Sequence, residues 1–367
     1  LGRSEALDDE SFDFLIEDVT KVLPAVPYDP RFDRLLAIKE RMAGEHVKAY
    51  SANPHCAVVA LAGSSAPRVA EVAAAHGLTN AHRYTDWRDL VSDPTVDVVS
   101  ICSTNEMHVA QAVAAAEAGK HVLIEKPVAL DHDGYRQVQD AIDRNGVKSQ
   151  VGFELHWSPY FQTIHSMIDA DLLGTVHYAE CDYFSGNQEK WYGGYHWVKT
   201  KERGGSALAA AGCHAIDAIR QFVRSEAIEV FAYSGNFTRV MDWDATIITI
   251  IRFANGAIGK VGCVMEGNVK YTFNVRLHGG KGTLVNDKFR STVLDPGLEG
   301  WAHFPTILPD TPEVTHHPFP GEIDDFIDAI RHDRRARVDI NDAGKTHEIM
   351  YAAERSAREG RPIALPL

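Results

Sequence analysis

The chain has 367 residues, with 37 basic against 51 acidic side chains and a formal net charge of -14. That length exceeds one ordinary core and predicts two domains, while the acidic balance argues against nucleic acid or an anionic membrane surface as partner. No apolar run approaches a membrane span and the acidic start is no signal peptide; the five scattered cysteines, without metal spacing, read as reduced thiols of a cytoplasmic protein.

Residues 1–33 read as an N-terminal extension: a polar start, a short helix over Ser11–Val19, then Pro24, Pro27 and Pro30 in an extended connector. The segment after the connector has two readings. Either Leu35–Lys39 is a first strand, or Leu35, Ile38, Met42 and Val47 share one face of a helix over 31–51. Cys56–Ala62 predicts a strand, and Pro67–His76 a helix after the small turn Gly63-Ser64-Ser65. Asp97–Asn105 and Gly119–Pro127 contain short β-branched apolar runs that stop at polar residues, as buried parallel strands do. Between them, Met107–Ala118 holds six alanines and no Gly or Pro, a helix stopped by Gly119. Strand, helix and strand make one right-handed crossover, so both strands end on the same edge of the sheet. Ser103, Thr104, Asn105, Glu125 and Lys126 therefore gather where open α/β sheets bind their ligands.

A helix over Asp131–Asn145 and a strand over Val147–Phe153 complete the first domain, and Glu154–Pro159 lies at the mouth of the site. After a helix reaching Leu173-Gly174, strands are expected at Val176–Phe184, Ile228–Tyr233, Thr246–Phe253, Ala257–Met265, Tyr271–His278 and Gly282–Val285. Their alternation predicts a mostly antiparallel sheet with one open face, covered by another subunit in a homodimer or homotetramer. Helices at Gly321–Asp333 and Ile340–Glu359 close the chain, the last able to pack back on the first domain. The fold class is thus α/β: a doubly wound parallel sheet over residues 34–153, then an α+β domain over 154–367 with a large antiparallel sheet. Trp191, Tyr192, Tyr195, His196 and Trp197 fall within seven positions beside glycines. Such rings suit a carbohydrate, whose apolar face stacks on aromatics, and they equally suit a core or interface loop.

The run Ala114–Pro127, with Glu125-Lys126-Pro127 at its end, and the later Gly212-Cys213-His214-Ala215-Ile216-Asp217 resemble the Gfo/Idh/MocA family of NAD(P)-dependent sugar and cyclitol dehydrogenases. The resemblance runs from about Gly44 to the C-terminus. It implies a Rossmann-like first domain, a small carbohydrate or cyclitol as substrate, and Lys126 and His214 as the catalytic pair at the reacting alcohol. With the aromatic run, His156, Trp191, Tyr195, His196 and Asp217 fall on the substrate side, Asp217 more as the anchor of the helix carrying His214 than as a substrate contact. Met42, Gly63, Ser64, Ser65, Arg68, Ser103, Thr104, Asn105, His108 and Glu125, with Lys126, would hold the cofactor; no metal is implied.

Three departures stand at functional places. The first two glycines of the family's G-x-G-x-x-G turn become Ile38 and Glu40. The acid that holds the ribose of NAD is replaced by Gly63-Ser64-Ser65 with Arg68 nearby, which favours NADP over NAD. The aspartate that many members carry four residues before the histidine is Ala210, so an alternative base would come from His156, Tyr195 or His196. Two rival readings remain: a hydrolase or lyase that oxidises its sugar transiently with a retained cofactor, and a cofactor-impaired pseudo-enzyme or sugar-binding subunit.

Overall fold

The computed structural model describes residues 34–38, 41–186, 197–297, 300–306 and 317–367. Within it Phe32–Leu367 form one compact unit. The N-terminal extension, Glu40, and the aromatic run with Trp191, Tyr195 and His196 lie outside the described residues.

The ambiguous start resolves to a strand and a helix, not one long helix. In chain order come β1 (Arg34–Ile38), α1 (Arg41–Ala52), β2 (Ala57–Ala62), α2 (Ala66–Ala75), β3 (His82–Tyr84), α3 (Trp87–Val91), β4 (Val98–Ile101), α4 (His108–Glu117), β5 (His121–Ile124), α5 (His132–Asn145) and β6 (Ser149–Val151). The six strands are parallel, in the order β3-β2-β1-β4-β5-β6. This is the order of dinucleotide-binding sheets. β4 and all but the first residue of β5 are buried, which is why their sequences are continuous apolar runs. α4 lies on the sheet through Ala112, Ala115 and Ala116, and Gly119, at φ +73°, ends it. Asp131 caps α5 by accepting from the Gly134 N–H at 2.7 Å.

Strand register sets the site. Ile38 pairs with Ala62 and Ile101, Ile101 with Ile124, and Ile124 with Val151. The strands therefore stop level, and Gly63, Cys102–Asn105, Glu125–Pro127 and Gly152–Glu154 emerge on one edge.

The second half contains α6 (Pro159–Asp169), β7 (Val176–Phe184), α7 (Cys213–Val223), β8 (Ala227–Gly235), β9 (Thr246–Phe253), β10 (Ile258–Val264), β11 (Thr272–Gly279), β12 (Gly282–Val285), β13 (Lys288–Ser291), β14 (Ala302–His303), α8 (Phe319–Arg331), α9 (Ile340–Glu359) and β15 (Ile363–Ala364). Among the described residues they form a nine-stranded sheet, β14-β13-β12-β11-β7-β10-β9-β8-β15. Only the β7–β10 pairing in it is parallel. α7 packs on β7 and α9 on β8, covering one face. The other face leaves Tyr233, Ile248, Ile250 and Ile258 exposed, as the alternation in β9 requires. One apolar core runs from Val99, Ile124 and Phe153 through Ile216 to Cys181 and Ile251. A second lies under α1 and α8, with Val47, Tyr50, Leu123, Phe319 and Phe326.

Candidate active site

β5 delivers Glu125-Lys126-Pro127 to the strand edge, and the last helix holds the adjoining loop. The Val128 N–H donates to His347 Nε2 at 3.0 Å, while His347 Nδ1–H donates to the Ala343 carbonyl at 2.9 Å. Burial pulls His347 down to about 4, so the ring is neutral and serves as acceptor on one side and donor on the other. Tyr351 donates to the Ala129 carbonyl at 2.8 Å. From this fixed loop, Lys126 reaches across and donates its Nζ to the Ala210 carbonyl at 3.1 Å.

Ala210 belongs to a π-helical turn, Leu208–Gly212, which the alanine run gave no sign of and which leads straight into α7. Such turns recur at functional sites because they re-aim the helix they join. Gly212 is required here: a Cβ would sit 2.7 Å from Leu208 Cδ2 and 2.9 Å from Cys263 Cβ on β10. The helix start therefore lies directly on the sheet and presents His214 to the strand edge. His214 is buried and meets the Phe153 ring edge-on, with centroids 5.7 Å apart. Its Nδ1 is sealed from solvent without a partner among the described residues. Its Nε2 stands 3.9 Å from Glu154 Oε2. Glu154 Oε1 accepts from His317 Nδ1–H at 2.8 Å. Burial pulls His214 down to about 4; Glu154 opposes that shift, and Lys126 and His317 reinforce it. Burial would push the Glu154 carboxyl up, but His214, the His317 hydrogen bond and Lys126 together outweigh it and bring it to about 2. At neutral pH the site thus holds a neutral imidazole beside an ionised carboxylate.

Two residues expected on the substrate side are turned inward. Asp217 is buried and accepts from His156 Nε2–H at 2.7 Å, Gln221 at 2.6 Å and Thr346 at 2.9 Å. Burial works against its charge, but His156, Arg220 and Thr346 hold it well below the usual carboxylate range. These bonds tie α7 to the turn after β6 and to α9, so Asp217 and the Nε2 side of His156 serve as anchors.

On the cofactor side, His108 is likewise buried: its Nδ1 lies 2.7 Å from the Pro127 carbonyl and its Nε2 3.0 Å from that of Ser103. Burial lowers it despite both carbonyls, and a neutral ring can donate to one at a time. It braces the two strand-end loops from below instead of facing a ligand. Glu125 also turns under the strand ends, accepting from His46 Nε2–H at 3.0 Å, while His46 Nδ1 lies 2.9 Å from Ser100 Oγ. Ser103 donates to Gln111 at 2.7 Å and Asn105 to the Gly204 carbonyl at 3.4 Å; Thr104 opens the turn between them. At the β2 end, the Gly63 N–H donates to the Tyr84 carbonyl at 3.1 Å. Ser64 is exposed, Ser65 precedes α2 without a side-chain capping bond, and Met42 packs half-buried on the second core. Arg68 meets Glu71 at 2.8 Å on the surface. The edge therefore brings together Lys126, His214 and the Ser103–Asn105 loop. Sequence reasoning left out Glu154, His317, His46 and His347. Glu154 stood at the mouth of the site and carried a positional signal; the three histidines carried none.

Residues 40–153 match the model of the oxidoreductase family with an NAD-binding Rossmann fold, and residues 161–285 match the GFO/IDH/MocA C-terminal domain. The chain belongs to the GFO/IDH/MocA oxidoreductase family. Among relatives, it is 27% identical over 335 residues to the uncharacterized oxidoreductase YrbE of Bacillus subtilis, covering 89% of this chain and 94% of that one. With myo-inositol 2-dehydrogenase of Thermotoga maritima it shares 23% over 291 residues, covering 77% of this chain and 84% of that one. The fold also matches a solved levoglucosan dehydrogenase in complex with NADH and levoglucosan, with a TM-score of 0.82 at 23% identity, covering 92% of this chain and 100% of that one. The GFO/IDH/MocA assignment makes the protein an NAD-dependent oxidoreductase, and no helix among its described residues is long and apolar enough to cross a membrane.

Proposed function

We propose that the protein oxidises a hydroxyl of a sugar, glycoside or cyclitol by hydride transfer to a nicotinamide nucleotide, with Lys126 and His214 at the reacting alcohol. The observation that carries this reading is the meeting of the two motifs: Lys126 Nζ bonds the turn that opens into His214, beside the buried side chains of His214 and Glu154 at the strand edge. Relatives named for inositol and levoglucosan support the substrate class. The residues present fit a dinucleotide. β1 and β4 form the switch point of the sheet, and the turn after β2 offers the Ser64 and Ser65 hydroxyls and the exposed Arg68 guanidinium, which shares its charge with Glu71. The Ser103–Asn105 loop and Lys126 would hold the nicotinamide end, and Gly63, Ser64, Ser65 and Arg68 the ribose end. When bound, the nicotinamide supplies the acceptor for the hydride.

The same turn supports NADP binding at least as well as NAD. Residues 34–153 would then serve the cofactor and 154–367 the substrate. The exposed apolar face of β8, β9 and β10 supports a homo-oligomer, and the five scattered cysteines, without metal spacing, support a reducing cytoplasm. Calorimetric titration with NAD and NADP, then assays on glucose, myo-inositol and simple glucosides, tests the reading. Nucleotide binding with net reduction during turnover is the expected result. A tightly retained cofactor without net reduction would favour the transient-oxidation enzyme, and no nucleotide binding at all the pseudo-enzyme.

A further inference from the structure

Burying a carboxylate is costly unless its oxygens are bonded. Glu154 is 3% exposed, and only one of its oxygens is so satisfied among the described residues, by His317 Nδ1–H. The other, Oε2, faces His214 Nε2 across 3.9 Å, too far for a direct hydrogen bond. Two polar groups at that separation suit a single oxygen lodged between them, within bonding distance of each. The protonation of His214 decides what that oxygen would do. A buried N–H without a partner is costly, and Nδ1 is buried without one among the described residues. The neutral ring therefore carries its proton on Nε2, where it is a donor. Nothing remains on His214 to accept a proton at that spot, and the helix before it offers only Ala209, Ala210 and Ala211.

We propose that Glu154 is the catalytic base, with the reacting hydroxyl bridging the gap: it accepts from His214 Nε2–H and donates to Glu154 Oε2. This rests on the dehydrogenase reading above. As the hydride leaves carbon with its electron pair for the oxidised nicotinamide, the O–H bond breaks and its proton passes to Oε2. The C–O bond becomes a carbonyl, and His214 Nε2–H and Lys126 stabilise the charge developing on oxygen. His317 keeps Oε1 occupied so that Oε2 alone faces the substrate. The lowered carboxyl is ionised at neutral pH, which leaves Oε2 open to accept; it is a weak base, and the acid formed readily passes its proton on to solvent.

The test combines a spectrum that needs no turnover with kinetics. In the wild type at neutral pH, nitrogen-15 NMR of His214 is expected to report a single tautomer protonated on Nε2; protonation on Nδ1 would overturn the assignment. Glu154→Gln keeps the size and the bond from His317 but cannot take a proton. Its kcat on a polyol should fall about 100-fold or more, with KM and nucleotide affinity within about threefold. Retention of wild-type kcat would overturn the proposal. Glu154→Ala, a second variant, should recover part of the lost rate when formate is added, and absence of recovery counts against a carboxylate base. A wild type that binds no nicotinamide and oxidises no polyol would instead remove the dehydrogenase reading, and this assignment with it.

Discussion

Around Lys126 and His214, nearly every polar side chain is tied to a segment far away in the chain, whereas from Gly63 to Arg68 the side chains meet only near neighbours. His347 fixes the loop after Lys126, Asp217 joins α7 to His156 and Thr346, and His317 holds Glu154. At the β2 end, Arg68 pairs with Glu71 on the surface and the serines bond nothing among the described residues. The contrast reflects what each end must do. Hydride and proton transfer need atoms held to a fraction of an ångström, which requires long-range ties. Discriminating a ribose hydroxyl from a phosphate needs charge of the right sign at a surface, which a local turn can supply. Substitutions at the first end should therefore damage rate or fold, and those at the second should change only preference.

The largest effect is expected at the chemical end. Lys126→Met keeps length and removes charge, and turnover should fall by roughly two to four orders of magnitude. His214→Ala should cost about as much, and the double variant little more, because the groups act as a unit. Steady-state kinetics on the best polyol read this directly; simple addition of the two losses would argue that they work separately.

Next comes the anchor. Asp217→Asn removes the buried carboxylate that accepts from His156 and Thr346, while Arg220 keeps Asp342 at 2.6 Å, and should destabilise the fold by about 1.5–3 kcal/mol in urea unfolding. Arg68→Ala, at the other end, should change stability by less than about 0.5 kcal/mol. Equal costs would erase the contrast.

The buried imidazoles predict a pH dependence. His214 and His347 titrate near 4 in the fold, against 6.5 when unfolded. Between those values the unfolded chain binds more protons, so stability is full above about pH 6.5 and falls as pH drops towards 4, by roughly 3 kcal/mol for each. His347→Gln, measured by unfolding across that range, should flatten the dependence; an unchanged slope would show that His347 contributes none of it.

The smallest effect belongs to the ribose end. Ser64→Asp should move preference from NADP towards NAD by about tenfold, through repulsion of the 2′-phosphate, and leave the melting temperature unchanged. A clear wild-type preference for NAD would contradict the role given to this turn.

Legibility in the sequence divides along the same line between local and long-range. The β4–α4–β5 unit could be read because β-branched runs and an alanine helix carry their structure locally, and β7, β9, β12 and α9 fall where alternation and periodicity put them. β1 was ambiguous because Leu35, Ile38, Met42 and Val47 fit a helix face equally well; pairing with β2 and β4 decides it, and pairing is invisible in a single segment. The short strands β13, β14 and β15 are too brief for any period to register. Lys126 and His214 announced themselves by motif. His317 did not, because it reaches Glu154 from 163 residues away. Asp217 and His108 belong to recognisable text, yet tertiary bonding turns both inward, and the π turn before His214 looks like ordinary helix in an alanine run.

The most direct test of the central claim tracks the hydride itself. The wild type is incubated with oxidised nicotinamide nucleotide and a polyol deuterated at its carbinol carbons, and the nucleotide is then examined by mass spectrometry. Deuterium on the reduced nicotinamide, with the polyol converted to its ketone and the transfer lost in Lys126→Met, is the predicted result. A ketone product formed without deuterium on the nicotinamide, or transfer undiminished in Lys126→Met, would contradict the account.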